Sequence, residues 1–452
     1  MPATGLSPAD HQIIARLDRI PVWPWRRMVL AVIGAGFFFA FFDIITIGFA
    51  LPKITAQFGV TAGQASWAIT SGLIGYILGA IVDGRIADRF GRRLSLHLSV
   101  AAFSVGSLLS ATSPDLGWLI FWRFISGMGI GAEIALVTTY IGELAPAPLR
   151  GRLTALAILF GFIGQAVVPF VALALVPGFE WGWRALFVLG ALGGVVIFFM
   201  RRNIPPSLRW LVLHGRREEA AAALSQAESQ AEKRLGKPLP EPVRVADHSP
   251  LADSPCQRKL WGRPYLSRLA ILAVTWFCYY VGVYGWLTLA PDLLKQEGFP
   301  LRQDFFSLSL SGVGFVAGCL VAIALTDRIE RKKVSAGGAV VWGIMLLVIG
   351  WFPSMWVVVA AGFLASFTIG LIIPVLYTYT GENFPTHSRG VAVAMSDGLG
   401  HLGGAFCGQI VFAAFAVWKF SGAFTVMGVS GFVAALLIML GVAANGRSLD
   451  SL

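Results

Sequence analysis

Gly84-Arg-Ile-Ala-Asp-Arg-Phe-Gly-Arg-Arg93 lies between two long apolar stretches, and a degraded copy, Asp327-Arg-Ile-Glu-Arg-Lys-Lys333, lies between two others. Counted from Asp88 to Asp327, the copies stand 239 positions apart in a chain of 452 residues. A charged loop that recurs at half-chain distance, flanked each time by apolar runs of membrane length, divides the chain into two related halves. Arginine-rich short loops stay on the cytoplasmic side, so the same loop predicts the orientation.

Composition points to a bilayer. The chain is 56% hydrophobic and 13% charged, where a soluble domain carries about a quarter charged residues. A formal charge of +11 would suggest nucleic acid in a soluble chain. Here the basic residues fall in alternate loops, which is a topology signal, and no nucleic-acid partner is expected. Cys256, Cys278, Cys319 and Cys407 form no CxxC pair and read as small apolar residues, with no metal site and no cofactor. The first 27 residues are polar and amphipathic, and the first apolar run is too long for the core of a signal peptide.

Crossing the hydrocarbon core takes roughly 20 apolar residues. Runs of that kind are predicted near 28–51, 65–84, 94–113, 117–140, 153–175 and 183–200, then 267–291, 306–326, 334–352, 355–380, 390–416 and 420–444. The expected fold is an all-α membrane protein of twelve transmembrane helices, in two pseudo-symmetric six-helix bundles spanning 28–200 and 267–444. Residues 1–27 are read as a cytoplasmic amphipathic N-terminus and 201–266 as a cytoplasmic linker with an amphipathic helix near 215–237. Residues 445–452 form a cytoplasmic tail. Under this topology Arg26, Arg27, Arg85, Arg89, Arg92, Arg93, Arg150, Arg152, Arg201, Arg202, Arg328, Arg331, Lys332 and Lys333 share one side. Both termini are then cytoplasmic.

The first loop fits the pattern G-x-x-x-D-R-x-G-R-R at Gly84, Asp88, Arg89, Gly91, Arg92 and Arg93; the second copy has Ile323 and Glu330 in place of the glycines. Arg123-Phe-Ile-Ser-Gly-Met-Gly-Ile-Gly131 and the paired loops Gly142-Glu-Leu-Ala-Pro146…Arg150-Gly and Gly381-Glu-Asn-Phe-Pro385…Arg389-Gly follow. In these features the chain resembles the major facilitator superfamily over essentially its whole length, and is related there to sugar porters. Arg16-Leu-Asp-Arg-Ile-Pro21 and the run from Phe37 through Asp43 to Pro52 are similar to the metabolite/proton and aromatic-acid/proton symporters. That group reads R-L-D-x-L-P, then F-F-D-x-Y-D-x-x-x-I-G-F-x-x-P. Ala40 and Phe42 depart from it, leaving one carboxylate of two.

The resemblance implies a secondary active transporter of the bacterial inner membrane, a proton symporter of a small organic metabolite, an organic or aromatic acid. It would work by alternating access as a monomer, with the solute, protons and the lipid bilayer as its partners. A sugar or polyol porter, a drug or metabolite exporter, and a non-transporting membrane sensor are the competing readings. No HExxH, GxSxG or P-loop is present, and an enzyme is not expected.

A charge at mid-bilayer costs roughly 2.5–3.5 kcal/mol even on lenient scales, so each buried charge needs a partner or a purpose. Asp43 stands in the first span, running outward, and Arg123 in the fourth, running inward, so the two can meet in the outer half of the first bundle. Closed, the pair holds the carboxylate charged; opened, burial favours the protonated acid. In related sugar/proton symporters an acid and an arginine at these positions are coupled, and the resemblance implies that role for Asp43 and Arg123. Glu133, roughly 15 Å further along the same helix, is read as a second proton site, the partner of a substrate cation, or a hydrogen-bonded structural acid.

Asp397 and His401, four residues apart, share a helix face and are expected to form a titratable contact for an anion. Gln165, Tyr279, Tyr280, Tyr284, Trp286, Tyr377 and Tyr379 are the other substrate-binding candidates, since polar-tipped aromatics suit a small organic molecule. Phe162-Ile-Gly-Gln165 resembles the substrate-contacting F-G-Q of sugar porters. Gly84, Asp88, Arg89, Gly91, Arg92, Glu143 and Arg150, with Asp327, Arg328, Glu382 and Arg389, are read as a cytoplasmic gate. Its charges would pair, and its glycines would allow close packing and a tight turn.

Overall fold

A computed structural model describes residues 8–146, 149–241, 262, 265–325, 329–384 and 389–441. In hydrocarbon each backbone N–H and C=O must be satisfied within its own segment, so apolar runs of this length become helices. Among the described residues every regular element is helical. The first half contributes spans one to six: Arg27–Phe58, Trp67–Phe90, Arg92–Ala111, Leu116–Leu144, Arg150–Leu175 and Gly182–Met200. The second half contributes Tyr265–Gln296, Leu301–Leu325, Arg331–Trp351 and Met355–Glu382 as spans seven to ten. Arg389–Ala405 continues into Cys407–Leu440, which breaks at Lys419 (φ 55°) and so supplies spans eleven and twelve.

The repeat is visible in the packing. A Cβ on Gly75 of span two would strike the Phe124 carbonyl oxygen of span four, and one on Gly131 would strike that of Tyr76. Adding 239 to each number gives spans eight and ten, where Gly314 meets the Phe363 carbonyl and Gly370 that of Phe315. Only glycine lets two backbones approach this closely. The helix caps repeat as well: Asp115 accepts from the Trp118 amide at 3.0 Å, and Ser354, 239 residues on, accepts from that of Val357 at 3.3 Å.

The halves meet on the side away from the arginine-rich loops. There Lys295 Nζ donates to the Pro52 carbonyl at 2.7 Å, the Phe49 ring sits edge-on to Phe305, and Thr70 Oγ1 donates to the Ala405 carbonyl at 2.7 Å. Deeper in the membrane two ring stacks join them, Tyr76 on His401 and Phe162 on Phe315.

On the arginine-rich side the N-terminal helix Pro8–Asp18 docks on the linker helix Arg217–Leu235. Ile13, Leu17 and Ile20 share a buried cluster with Ala220, Leu224, Ala227 and Ala231. Arg16 donates twice to Glu228, at 2.6 and 3.1 Å, and Arg19 once, at 2.8 Å; Arg217 clasps Asp10, and Arg209 holds Asp18. The Arg16-Leu17-Asp18 stretch is therefore a docking segment: both charges are paired and the leucine between them is fully buried.

Candidate functional site

Span one carries Asp43 into the middle of the first bundle, where it is fully buried. Its carboxylate accepts from Arg123 Nη1 at 2.6 Å, Ser126 Oγ at 3.0 Å and Ser107 Oγ. Three donors from spans three and four compensate the charge that burial would otherwise disfavour. Arg123 also lies over the Phe187 ring, 5.3 Å from its centre, while its Nε is buried with no acceptor. That side of the guanidinium faces Gly72. Arg123 lines a cavity between the halves together with Ile44, Ile47, Leu73, Tyr76, Ile130, Tyr284 and Thr288. The cavity measures about 20 Å³, room for roughly one water, so this conformation is the collapsed form of the site.

Behind Tyr76 and Tyr284 of the cavity wall lies a polar cluster of the second half, reached through the His401 ring. Tyr280 and Tyr377 donate to Asp397 Oδ1 at 2.8 and 2.5 Å. His401 Nδ1 donates to the Asp397 carbonyl at 2.9 Å and lies 3.4 Å from Oδ1. The imidazole, 3% exposed, stacks on Tyr76 of the first half at 4.3 Å and 17°. Tyr76 was not anticipated, because a lone tyrosine in a glycine-rich span reads as packing.

Several candidates lie elsewhere. Tyr279 packs on Trp342, and Trp286 donates to Ser366 at 3.2 Å and packs on Phe424. Tyr379 sits against Gly441 at the end of span twelve. All three pack within the second half; the cavity wall at this level comes from Tyr76 and Tyr284. Gln165 is buried with its Nε2 lacking an acceptor.

Glu133 faces away from the cavity. It accepts from Arg201 Nη1 at 2.8 Å, from Arg201 Nη2 and from Ser99 at 2.8 Å, in a space that Gly36 leaves open. Arg201 also donates to the Leu96 carbonyl and is 1% exposed. Counted as a linker charge from sequence, it instead folds back into the bundle, because the buried carboxylate gives its guanidinium a better partner than the membrane edge does.

At the arginine-rich side, Arg92 bridges Asp88 at 2.6 Å and Glu143 at 2.9 Å. Its repeat equivalent, Arg331–Glu382, is paired at 2.8 Å. Each pair joins helices within one half. Gly91 turns at φ 95° under Trp210 of the linker, whose Nε1 donates to the Asp88 carbonyl at 3.0 Å. Gly84 has open space beside it, so the close packing expected there is not made in this conformation. Arg89 lies over Phe90. Asp327, Arg328, Cys256 and the side chains of Arg150 and Arg389 lie outside the described residues. Cys278, Cys319 and Cys407 are free.

Two repeat-related bundles, with buried ion pairs and a small cavity where they meet, define a membrane transporter. The sequence family described as sugar (and other) transporter matches residues 28–440, and the chain belongs to it. It is a multi-pass membrane protein that works by alternating access, and not an enzyme. A putative metabolite transport protein, YyaJ of Bacillus subtilis (strain 168), is 30% identical over 398 residues, covering 88% of this chain and 87% of that protein. The niacin transporter NiaP of Acinetobacter baylyi is 28% identical over 446 residues, 97% and 99% of the two chains. The 4-hydroxybenzoate transporter PcaK of the same species is 28% identical over 418 residues, 89% and 88%. The fold matches a partially occluded, inward-open structure of the E. coli xylose transporter XylE, with a TM-score of 0.73 at 20% identity, over 93% of this chain and 98% of that one.

Proposed function

We propose that the protein takes up a small organic acid, an aromatic monocarboxylate in the first instance, together with protons. The arginine-rich face and both termini are then cytoplasmic, and the conformation described is the one sealed toward the outside. The observation that carries this reading is Arg123, which binds Asp43 with one edge, keeps a buried Nε without an acceptor, and lines a cavity with aliphatic and aromatic walls. A cation there has one anion already and room for competition by a second.

While Asp43 is ionised, Arg123 is neutralised and has little attraction for a substrate carboxylate. A proton on Asp43 ends the pairing and leaves a buried guanidinium uncompensated, which is costly until another anion arrives. Proton and carboxylate therefore bind best together, and their joint occupancy shifts the balance between the two packings of the halves. The apolar walls suit a ring better than a sugar's hydroxyls. Two relatives named for niacin and 4-hydroxybenzoate transport agree with that substrate class.

The test is tracer uptake in proteoliposomes. A protonophore should collapse accumulation, and Asp43→Asn should abolish accumulation while leaving counterflow exchange. Aromatic acids should compete better than aliphatic acids or sugars. Uptake indifferent to the protonophore and to Asp43→Asn sinks the proposal.

A further inference from the structure

We infer that His401, backed by Asp397, is a proton-binding site of its own, and that its proton latches the two halves together through the stack on Tyr76. The two halves of the molecule differ at this contact in polarity. Two ring stacks cross between the halves, Tyr76–His401 at 4.3 Å and 17° and Phe162–Phe315 at 6.2 Å and 5°. The repeat offset of 239 carries Tyr76 onto Phe315 and Phe162 onto His401. The fold thus makes the same contact twice, with spans two and eleven in one place and spans eight and five in the other.

The surroundings correspond too. Tyr280 touches His401 at 4.5 Å between ring centres, and its equivalent, Phe41, touches Phe162 at 5.9 Å. Ile45 stands where the other copy has Tyr284, and Ile158 where it has Asp397. One copy is hydrocarbon throughout; in the other, each of these positions carries a hydroxyl, an imidazole or a carboxylate. Packing alone is served by the hydrocarbon version, so the polar version needs a further reason.

The groups facing His401 are Asp397 from its own span, Tyr76 from span two, and Tyr280 and Tyr284 from span seven. Tyr377 from span ten reaches it through Asp397, and Arg123 lines the cavity beside Tyr76 and Tyr284. An imidazolium here sits beside the carboxylate, with Nδ1 3.4 Å from Oδ1, and on the face of the Tyr76 ring, both of which attract its charge. A neutral imidazole keeps only the stack. Protonation therefore strengthens the contact that seals the side opposite the arginine-rich loops, while Phe162–Phe315 closes with the same strength at any pH. The proton-coupled reading above gives this latch its use in the transport cycle; the latch itself is measurable without a substrate.

The test uses the full chain in nanodiscs, with its native cysteines replaced and nitroxide labels at Ala56→Cys and Arg302→Cys, at the sealed-side ends of spans one and eight. Pulsed EPR distances between pH 8.5 and 5.5 should show the closed-to-open ratio rising at least tenfold with acid. In Tyr76→Phe/His401→Phe, which gives this stack the rings of its repeat partner, the ratio should change less than twofold. His401→Gln, a gentler change that holds no charge, should be equally flat. A shift that persists in either His401 variant, or a parent protein with no shift, overturns the latch. A shift abolished by Asp43→Asn and kept by the His401 variants assigns the effect to Asp43 and also overturns it. Because the distances are read without substrate, failure of the organic-acid reading leaves this outcome independent.

Discussion

Arg201→Met should be among the most damaging single changes in the first half, and a second substitution should repair it. The change leaves Glu133, fully buried, with Ser99 as its remaining side-chain donor. Removing one partner of a buried pair costs about 3–5 kcal/mol, whereas replacing both by apolar groups of similar volume is often neutral or stabilising. The double variant Glu133→Leu/Arg201→Met should therefore recover most of the loss. In a body the size of one half, each kcal/mol moves Tm by about 2–4 °C, so the single variant should fall by roughly 6–20 °C. Tryptophan fluorescence reads the transition, because Trp183 of the first half is 0% exposed until its helices separate. Accumulation per folded molecule should be near the parent's in the double variant. A double variant as unstable as the single one would refute the compensation argument. One that folds well but no longer accumulates substrate would show that Glu133 carries protons after all.

The clasp between the N-terminal helix and the linker gives a pH prediction. Burial pushes the Glu228 carboxyl up, but hydrogen bonds from Arg16 and then Arg19 outweigh it and hold the group below its ordinary value of 4.5. A lowered folded value means the stabilisation is complete above pH 4.5 and is lost as pH falls through the folded value. Amide exchange in residues 8–18, corrected for its intrinsic pH dependence, should be flat from pH 8 to 5 and accelerate below; Glu228→Gln should raise it severalfold at pH 7. At the opposite face, Lys419 holds a left-handed backbone between spans eleven and twelve. Lys419→Gly should gain about 1 kcal/mol by releasing that strain, seen as a higher Tm, and a lower Tm would contradict it.

The order and alternation of the helices were legible because apolar length is a large, additive signal. The approach of Asp43 to Arg123 followed from the same signal: antiparallel spans place the two residues at one depth. Arg201 escaped for the converse reason. A guanidinium at the end of an apolar run looks like a loop charge, and only tertiary packing reveals the carboxylate that draws it inward. Tyr279, Trp286 and Tyr379 show a second limit, since a strongly apolar span gives no sign of which face looks into the cavity and which into its own bundle. For Tyr76 the signal was present and unused. The loop offset of 239, applied inside the spans, pairs it with Phe315 and pairs His401 with Phe162 on sequence alone.

The glycine seam has a mechanical meaning. Where backbones touch without side chains between them, little is left to compress, so spans two and four translate as one stiff lever, as do spans eight and ten. Tyr76 rides on the first lever, and so does Arg123. A displacement at the ring stack passes through backbone contact from the span that carries Tyr76 to the span that carries Arg123. The second lever carries Phe315 and, at the position equivalent to Arg123, Gly362. The molecule has two arms of matched stiffness, and a charge to deliver at the end of only one.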